Sequence, residues 1–147
     1  MLRPVDQQDT RFLRDMVRHA YHWRMGDPDL PVYRYVKNWG RRGDAGVIAS
    51  SGPNEYGAAW YRLFPASAPG FGFVDEETPE LTIAVVPSHR GHGAGAELLE
   101  ALLEQARADG FSQISLSAEP GQTGFYEKHG FHELSREDGT VTMVADL

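Results

Sequence analysis

Residues 80–106 read ELTIAVVPSHRGHGAGAELLEALLEQA and contain three successive signals. The apolar run at 81–86 predicts a strand near the centre of a sheet. Three glycines at alternate positions come next, and the leucine spacing at 98–106 then predicts an amphipathic helix. The first N–H groups of a helix lack partners, and glycine lets a ligand approach the backbone. This order of signals therefore indicates a phosphate-binding loop, with Arg90 as an added cation.

The flanking sequence alternates between strand and helix patterns. A helix capped by Asp9 or Thr10 is predicted to run from about residue 11 to Gly26. Two shorter helices are predicted at 32–39 and 121–129. Short apolar or alternating segments bounded by turn residues predict the strands, which are placed at 2–4, 45–49, 56–64, 113–117, 131–134 and 141–145. Together these elements predict a mixed α/β sheet.

Length and composition narrow the class of protein. A chain of 147 residues corresponds to about one domain. It has no cysteine, which excludes disulfides and thiolate chemistry, and it has no long apolar run. We therefore expect a single domain at 1–147, soluble and cytoplasmic, without a membrane partner. A net charge of −7 argues against nucleic-acid binding. The histidines lack a supporting carboxylate cluster, so we predict no metal site.

The glycine loop alone allows two ligand classes. Gly91-x-Gly93-x-x-Ala96 matches a relaxed dinucleotide-binding pattern. That pattern normally opens a fold with two nucleotide-binding halves, whereas here it begins late in the chain with little sheet after it. A P-loop is excluded because no Lys-Ser/Thr pair follows the glycines. The other ligand class is the pyrophosphate of coenzyme A.

Three segments resemble the GCN5-related N-acetyltransferase (GNAT) superfamily. Residues 90–95, RGHGAG, fit its R/Q-x-x-G-x-G/A motif, residues 80–95 resemble its fourth strand and pyrophosphate loop, and residues 124–131, GFYEKHGF, resemble its tyrosine-bearing helix. The resemblance covers about residues 80–134. It implies a single-domain fold with a mostly antiparallel sheet of six to seven strands, splayed central strands and about four flanking helices.

The resemblance also implies a set of residues that bind acetyl-CoA as co-substrate. Backbone groups on the fourth strand would pair with the pantetheine arm, and the loop N–H groups with Arg90 would hold the pyrophosphate. Relatives often carry an asparagine at the position of Glu119, so Gln122 is a candidate to replace that contact. The expected contact residues are Ile83, Ala84, Val85, Arg90, Gly91, His92, Gly93, Ala94, Gly95, Glu119 and Gln122.

Two catalytic roles follow from the same resemblance. Tyr126 would protonate the leaving thiolate as a general acid. The alternative interpretation is that Tyr126 is an aromatic residue of the core. Glu80, just before the fourth strand, is the candidate general base for the attacking amine, acting directly or through water. Asp75, Glu76 and Glu77 are rival carboxylates in the preceding loop.

The acceptor is expected to be a primary amine, on a small molecule or a peptide, bound by a monomer or homodimer. Aromatic residues of the first two helices and of the loop before the fourth strand are expected to frame it: Tyr21, Trp23, Tyr33, Tyr35, Trp39, Phe71 and Phe73. Two other functions stay open. One is a non-catalytic acyl-CoA-binding sensor or regulatory module, and the other is a nicotinamide or flavin oxidoreductase, which the short chain disfavours.

Overall fold

A computed structural model describes residues 1–21, 32–137 and 139–147. Short 3-10 turns lie at Gln7–Asp9, Pro87–His89 and Pro120–Gln122. The helices are α1 (Thr10–Ala20), α2 (Val32–Val36), α3 (Ala94–Ala108) and α4 (Thr123–Glu127). The strands are β1 (Leu2–Pro4), β2 (Ala45–Ser51), β3 (Asn54–Arg62), β4 (Glu80–Val85), β5 (Gln113–Ala118), β6 (Phe131–Glu137) and β7 (Thr140–Asp146).

The strands form one seven-stranded sheet in the order β1-β2-β3-β4-β5-β7-β6. Every neighbouring pair is antiparallel except β4 and β5, which run parallel. The predicted mixed, mostly antiparallel sheet is therefore confirmed. The parallel step lies at the centre of the sheet, between the two strands that border the candidate site.

The two faces of the sheet carry separate cores because side chains alternate along each strand. Leucines of α3 pack with Leu81, Leu116 and Phe131 on one face. Leu13 and Met16 of α1, with residues of α2, pack around Trp60 and Ala84 on the other. We call these the α3 face and the α1 face. Neighbouring residues of β4 and β5 therefore reach different cores.

The start of α1 differs in detail from the expected cap. Thr10 is the first helical residue, and Asp9 precedes it without capping α1 through its side chain. The Asp9 carboxylate instead accepts the N–H of Asp6 at 2.9 Å and two hydrogen bonds from the Arg3 guanidinium, at 2.7 and 2.9 Å. These bonds tie the helix start to β1. The helix ends at Ala20, and Tyr21 adopts a φ of −120°, so α1 stops short of the predicted end near Gly26, which itself lies outside the described residues.

Helix α2 is shorter than the predicted 32–39. It ends at Val36, and Asn38 adopts a φ of +56°, which breaks the helical path before the expected stop at Gly40. The Arg62 guanidinium satisfies carbonyl groups left free at this end, donating to those of Arg34, Lys37 and Asn38. The same guanidinium forms a fully buried ion pair with Asp44 at 2.7 Å.

Several other boundaries shift because of local geometry. Strand β6 continues past the expected end at 134. A register shift between Glu133 and Ser135 leaves Leu134 out of the pairing with β7, and this side chain is 54% exposed. The turn at 120–122 is 3-10, which shortens α4 relative to the predicted 121–129. Strand β3 occupies Asn54–Arg62 rather than 56–64. Asp138, in the predicted final turn, lies outside the described residues.

Candidate functional site

The strands β4 and β5 separate at the centre of the sheet. Both strands are fully described, and a single parallel β-bridge joins them, between Glu80 and Ser115. The N–H of Ser115 donates to the C=O of Pro79 at 3.0 Å, and the strands diverge beyond that point. The expected splay is therefore present, and it opens a gap along the rest of β4.

The register with β3 decides which backbone groups of β4 face the gap. The N–H of Val86 donates to the C=O of Tyr56, on the β3 side, at 2.8 Å. Because backbone groups alternate in direction along a strand, those of Ala84 also face β3, whereas those of Ile83 and Val85 face the gap. This narrows the expected backbone contacts to Ile83 and Val85. Ala84 contributes its side chain to the wall.

Two adjoining cavities occupy this region. The first, of about 210 Å³, lies in the gap and is called the β4–β5 cavity. The second, of about 400 Å³, lies over the glycine loop and is called the loop cavity; Gly91, Gly93, Ala94 and Gly95 line it. Glu119 lines the first cavity. Both cavities are lined by Ile83, Ala84, Val85, Arg90, Gln122 and Tyr126.

The glycine loop leaves its ligand side open. Gly91 and Gly93 adopt φ values of +84° and +83°, a region that favours glycine, and no atom lies within 4 Å of the place where a Cβ would stand at either residue. Gly93 caps the 15-residue helix α3. The first three helical N–H groups have no acceptor within such a helix, so they are available to an anion.

Arg90 and His92 differ in their relation to the cavities. The Arg90 Nε donates to the C=O of Val85 at 2.9 Å, which holds this exposed side chain beside the gap. His92 is exposed and lines neither cavity. Of the expected cofactor contacts, His92 is thus the one that the structure does not bring to either cavity.

Tyr126 lies where the two cavities meet. Its ring packs against Phe125 and Phe131, with ring centroids 5.1 and 5.9 Å apart. Burial raises the pKa of the Tyr126 phenol to about 12, so the phenol keeps its proton at neutral pH. A protonated hydroxyl at the wall of both cavities is a hydrogen-bond donor and a proton source.

Glu80 lies near the site but does not border it. Its side chain is buried and lines neither cavity. The carboxylate accepts hydrogen bonds from the hydroxyl of Tyr35 and, at 3.1 Å, from the N–H of Gly72. Burial raises the pKa of Glu80 from 4.5 to about 7, although both hydrogen bonds act in the opposite direction. A proton from the cavity would have to reach Glu80 through another group.

The loop before β4 packs tightly around Glu80. The Tyr35 hydroxyl accepts the N–H of Phe71 at 2.8 Å, and Ser115 Oγ donates to the C=O of Gly72 at 2.8 Å. A Cβ on Gly72 would lie 2.6 Å from the backbone of Leu116, so only glycine fits there. The rival carboxylates of this loop are exposed and line neither cavity: Asp75, Glu76 and Glu77.

The α1 face of the gap carries hydroxyl groups. Tyr21, Thr82 and Ser117 line the β4–β5 cavity, and the Tyr21 hydroxyl lies 3.3 Å from Thr82 Oγ1. Only Tyr21 was expected from the sequence. The available signal for the other two was a polar residue at every second position of an apolar strand, which places both side chains on one face.

The expected acceptor aromatics divide into three groups. Tyr21 lines the cavity, and Phe71 packs on it with ring centroids 5.5 Å apart. Tyr35 and Trp39 are buried in the α1-face core and line neither cavity, so neither side chain borders the space expected for the acceptor. Phe73 packs against the same core. Trp23 and the side chain of Tyr33 lie outside the described residues.

Comparison with known proteins identifies the family. The sequence profile of the acetyltransferase (GNAT) domain matches residues 53–133. Because this match covers more than half of the chain, the protein belongs to the GNAT family of acetyltransferases. Over 92 residues it is 29% identical to the uncharacterized N-acetyltransferase YjcF of Bacillus subtilis (strain 168), covering 63% of this chain and 59% of that protein. The chain thus matches about three fifths of the length of this curated relative.

Solved structures share the fold. The GNAT domain of Streptomyces lividans PAT superposes with a TM-score of 0.72 at 21% identity, covering 99% of this chain and 89% of that one. The ribosomal-protein-alanine N-acetyltransferase of Brucella melitensis gives 0.71 at 21% identity, covering 100% and 99%. The PaiA N-acetyltransferase of Thermoplasma acidophilum, in complex with coenzyme A, gives 0.71 at 12% identity, covering 100% and 98%.

No helix in the described part of the chain combines the length and the apolar character needed to cross a bilayer.

Proposed function

We propose that the protein is an acetyl-CoA-dependent N-acetyltransferase that moves an acetyl group to a primary amine. One observation carries the proposal: the gap between β4 and β5 adjoins the open glycine loop at the start of α3, and Tyr126 lines both spaces. A ligand with a phosphate group at one end and a reactive thioester at the other fits this arrangement.

The residues present fit acetyl-CoA as co-substrate. The loop at 91–95 offers open space and unpaired helical N–H groups to the pyrophosphate, and Arg90 adds a positive charge. Ile83 and Val85 turn their backbone groups toward the gap, where the pantetheine arm would add to the edge of β4. Gln122 and Glu119 border the same space. Acetyl-CoA supplies the activated acetyl group.

The chain itself would supply the chemistry around the thioester. We assign the N–H of Val85 to the thioester oxygen, where it stabilises the negative charge that develops as the amine attacks. The Tyr126 phenol, whose pKa is about 12, gives its proton to the departing thiolate. Removing either group should slow acetyl transfer more than it weakens binding of acetyl-CoA.

Glu80 is proposed as the final proton acceptor, reached through hydroxyl groups rather than directly. Its carboxylate accepts a hydrogen bond from the Tyr35 hydroxyl, the hydroxyls of Tyr35 and Tyr21 interact, and Tyr21 borders the cavity. A carboxyl whose pKa is about 7 accepts a proton near neutral pH. In this assignment Tyr21 connects the amine to Glu80.

A second candidate function is a non-catalytic acyl-CoA sensor or regulatory module. One observation favours it: Glu80 is enclosed by Tyr35 and Gly72 and does not line either cavity. In this alternative the same loop binds the cofactor, but no base serves the amine. Binding without turnover on a broad amine panel would support it.

The acceptor is proposed to be an unhindered primary amine on a small molecule or a peptide. The name of the Brucella melitensis neighbour specifies an alanine of a ribosomal protein, a peptide acceptor in the same fold. We further propose that residues 1–147 act as one domain in the cytoplasm, as a monomer or homodimer. Size-exclusion chromatography with light scattering would decide the last point.

The test combines binding and turnover. Thermal-shift measurements should show stabilisation by acetyl-CoA and by CoA but not by NAD or NADP. A thiol-release assay over a panel of primary amines and short peptides should then show turnover. Stabilisation by NAD without CoA would contradict the proposal, and CoA binding without any turnover would favour the sensor module.

A further inference from the structure

The hydroxyl of Ser117 is unusual for a buried group. The residue is 8% exposed, and its Oγ forms no hydrogen bond of good geometry with the described residues, although the Tyr21 hydroxyl lies near enough for the two groups to interact. Buried polar groups almost always have one, because leaving water without a replacement bond is unfavourable. Ser117 lines the β4–β5 cavity, so its weakly bonded hydroxyl borders the space in which the reaction is proposed to occur.

Ser115 provides an internal comparison. It precedes Ser117 by two residues on β5 and is also fully buried, so the two side chains project to the same face of the sheet. The Ser115 hydroxyl donates to the C=O of Gly72 at 2.8 Å and lines neither the β4–β5 cavity nor the loop cavity. Ser115 therefore serves the fold, whereas the fold offers Ser117 no equivalent bond.

Two other hydroxyl groups lie beside Ser117. Thr82 belongs to the same face of the facing strand and is 2% exposed, and the Tyr21 hydroxyl is 3.3 Å from its Oγ1. All three side chains line the β4–β5 cavity. Ile83 and Val85, in contrast, pack toward the α3 face, where Tyr126 also lies. The gap thus has a hydroxyl-bearing side opposite the side assigned to the donor.

Resting on the proposed function, we propose that Ser117, with Thr82 and Tyr21, binds the reacting nitrogen of the acceptor amine. A serine oxygen has two lone pairs and one proton, so Ser117 Oγ accepts a hydrogen bond from an N–H of the neutral amine. That bond orients the nitrogen lone pair across the gap, toward the thioester. A primary amine meets this requirement best because it keeps a second N–H for the neighbouring hydroxyls.

The chemical step balances with these assignments. The nitrogen forms its bond to the acetyl carbon as the carbon–sulfur bond breaks, and the sulfur takes the Tyr126 proton. The nitrogen then loses its extra proton through Tyr21 and Tyr35 to Glu80. Ser117 does not change its protonation state. Its contribution is to bind and orient the nucleophile.

The test compares Ser117→Ala with Ser112→Ala in steady-state kinetics. Ser117→Ala should raise the KM of the amine, or lower kcat/KM for it, by about three- to tenfold, the ratio expected for one neutral hydrogen bond. The KM of acetyl-CoA should stay the same. Ser112→Ala, at an exposed serine just before β5 that lines neither cavity, should leave the amine KM unchanged. Thr82→Val, which keeps the shape of the side chain, should act in the same direction as Ser117→Ala, and Ser117→Thr should restore amine binding.

The stability of the free protein gives a readout that does not depend on activity. Ser117→Ala removes a buried hydroxyl that has no hydrogen bond of good geometry, and it should leave the melting temperature unchanged or raise it. Ser115→Ala removes a paired one, leaves the Gly72 carbonyl without its donor and should lower the melting temperature. A lower melting temperature for Ser117→Ala would mean that the hydroxyl has a structural partner, and it would overturn the proposal.

Binding measurements separate this proposal from the proposed function. Amines from the panel are titrated into the CoA-loaded wild type and the CoA-loaded Ser117→Ala variant by calorimetry. Weaker amine binding by the variant supports the proposal. Equal amine binding by both proteins overturns the Ser117 proposal, and so does the absence of amine binding by the CoA-loaded wild type. Neither result affects the evidence for CoA binding. Absence of CoA binding would instead refute the proposed function.

Discussion

Glu80 and Ser115 hold Gly72 from two sides: the Glu80 carboxylate accepts the N–H of Gly72, and Ser115 Oγ donates to its C=O. The same two residues form the bridge at which β4 and β5 begin to separate. The position of the loop before β4 is thus tied to the opening of the gap. A change at Glu80 should therefore alter both the position of this loop and the opening of the gap.

Glu80 makes the stability of the protein dependent on pH. Its pKa is about 7 in the folded protein against 4.5 ordinarily, so the folded state binds more protons than the unfolded state between these values. The free energy of unfolding should therefore fall as pH rises through this window, by about 3 kcal/mol from this group. Glu80→Gln should remove this contribution.

Denaturant unfolding at several pH values between 4 and 8 measures the effect. The stability difference between Glu80→Gln and the wild type should shift in favour of the variant as pH rises. Glu77→Gln, an exposed carboxylate of the same loop, is the matched control and should keep the wild-type profile. A constant difference between Glu80→Gln and the wild type would contradict the assignment.

Tyr126→Phe tests the proton donor. Because the phenol is the proposed acid, kcat for acetyl transfer should fall by about 100-fold at neutral pH, while the KM of acetyl-CoA changes little. Stopped-assay or continuous thiol-release kinetics measure both. Tyr61→Phe is the control, since the Tyr61 hydroxyl donates to Asp109 at the end of α3 and lines neither cavity. Equal rates for Tyr126→Phe and the wild type would remove Tyr126 from the mechanism.

Comparing Gly93→Ala with Gly110→Ala should distinguish an effect of the glycine loop on CoA binding from the effect of backbone strain on stability. Gly93 and Gly110 have φ values of +83° and +88°, and both have open space where a Cβ would stand. Alanine at either position should cost about 1 kcal/mol of stability through backbone strain. Gly93→Ala should also weaken CoA binding in calorimetry by about tenfold, whereas Gly110→Ala should not. Similar CoA affinities for the two variants would argue against a pyrophosphate at this loop.

The buried ion pair between Arg62 and Asp44 should be essential for folding stability. Both side chains are at most 1% exposed, and the guanidinium also bonds carbonyl groups at the end of α2. Asp44→Asn leaves a buried positive charge without its partner and should cost about 3–5 kcal/mol in denaturant unfolding. Asp15→Asn, in the exposed Arg18 pair, should cost less than about 1 kcal/mol. A small effect at Asp44 would show that the carbonyl groups alone satisfy Arg62.

Sequence patterns predicted the elements that a short local pattern of residues defines. The apolar run of β4, the glycine loop and the leucine stripe of α3 were all anticipated, and with Tyr126 they indicated the family. What could not be anticipated depends on long-range contacts. The carbonyl groups at the early end of α2 are satisfied by Arg62, distant in sequence, and Leu134 lies at a register shift between β6 and β7.

The same limit applies to the candidate site. Residues on β4 and the loop were expected from local motifs, whereas Thr82 and Ser117 carry no motif. Their importance follows from two strands that are adjacent only in the folded sheet. The enclosure of Glu80 likewise depends on Tyr35 and Gly72, each contributed by a different segment.

The alternation of side chains along β4 and β5 has a consequence for how this protein could diversify. Residues at odd positions of β4 serve the side assigned to the donor, and the hydroxyl-bearing residues at even positions of β4 and odd positions of β5 serve the other side. On the proposed assignment, a substitution at Thr82 or Ser117 would alter the choice of amine while Ile83 and Val85 keep their places. The strand would then separate two specificities that change independently, so one scaffold would keep its donor and exchange its acceptor.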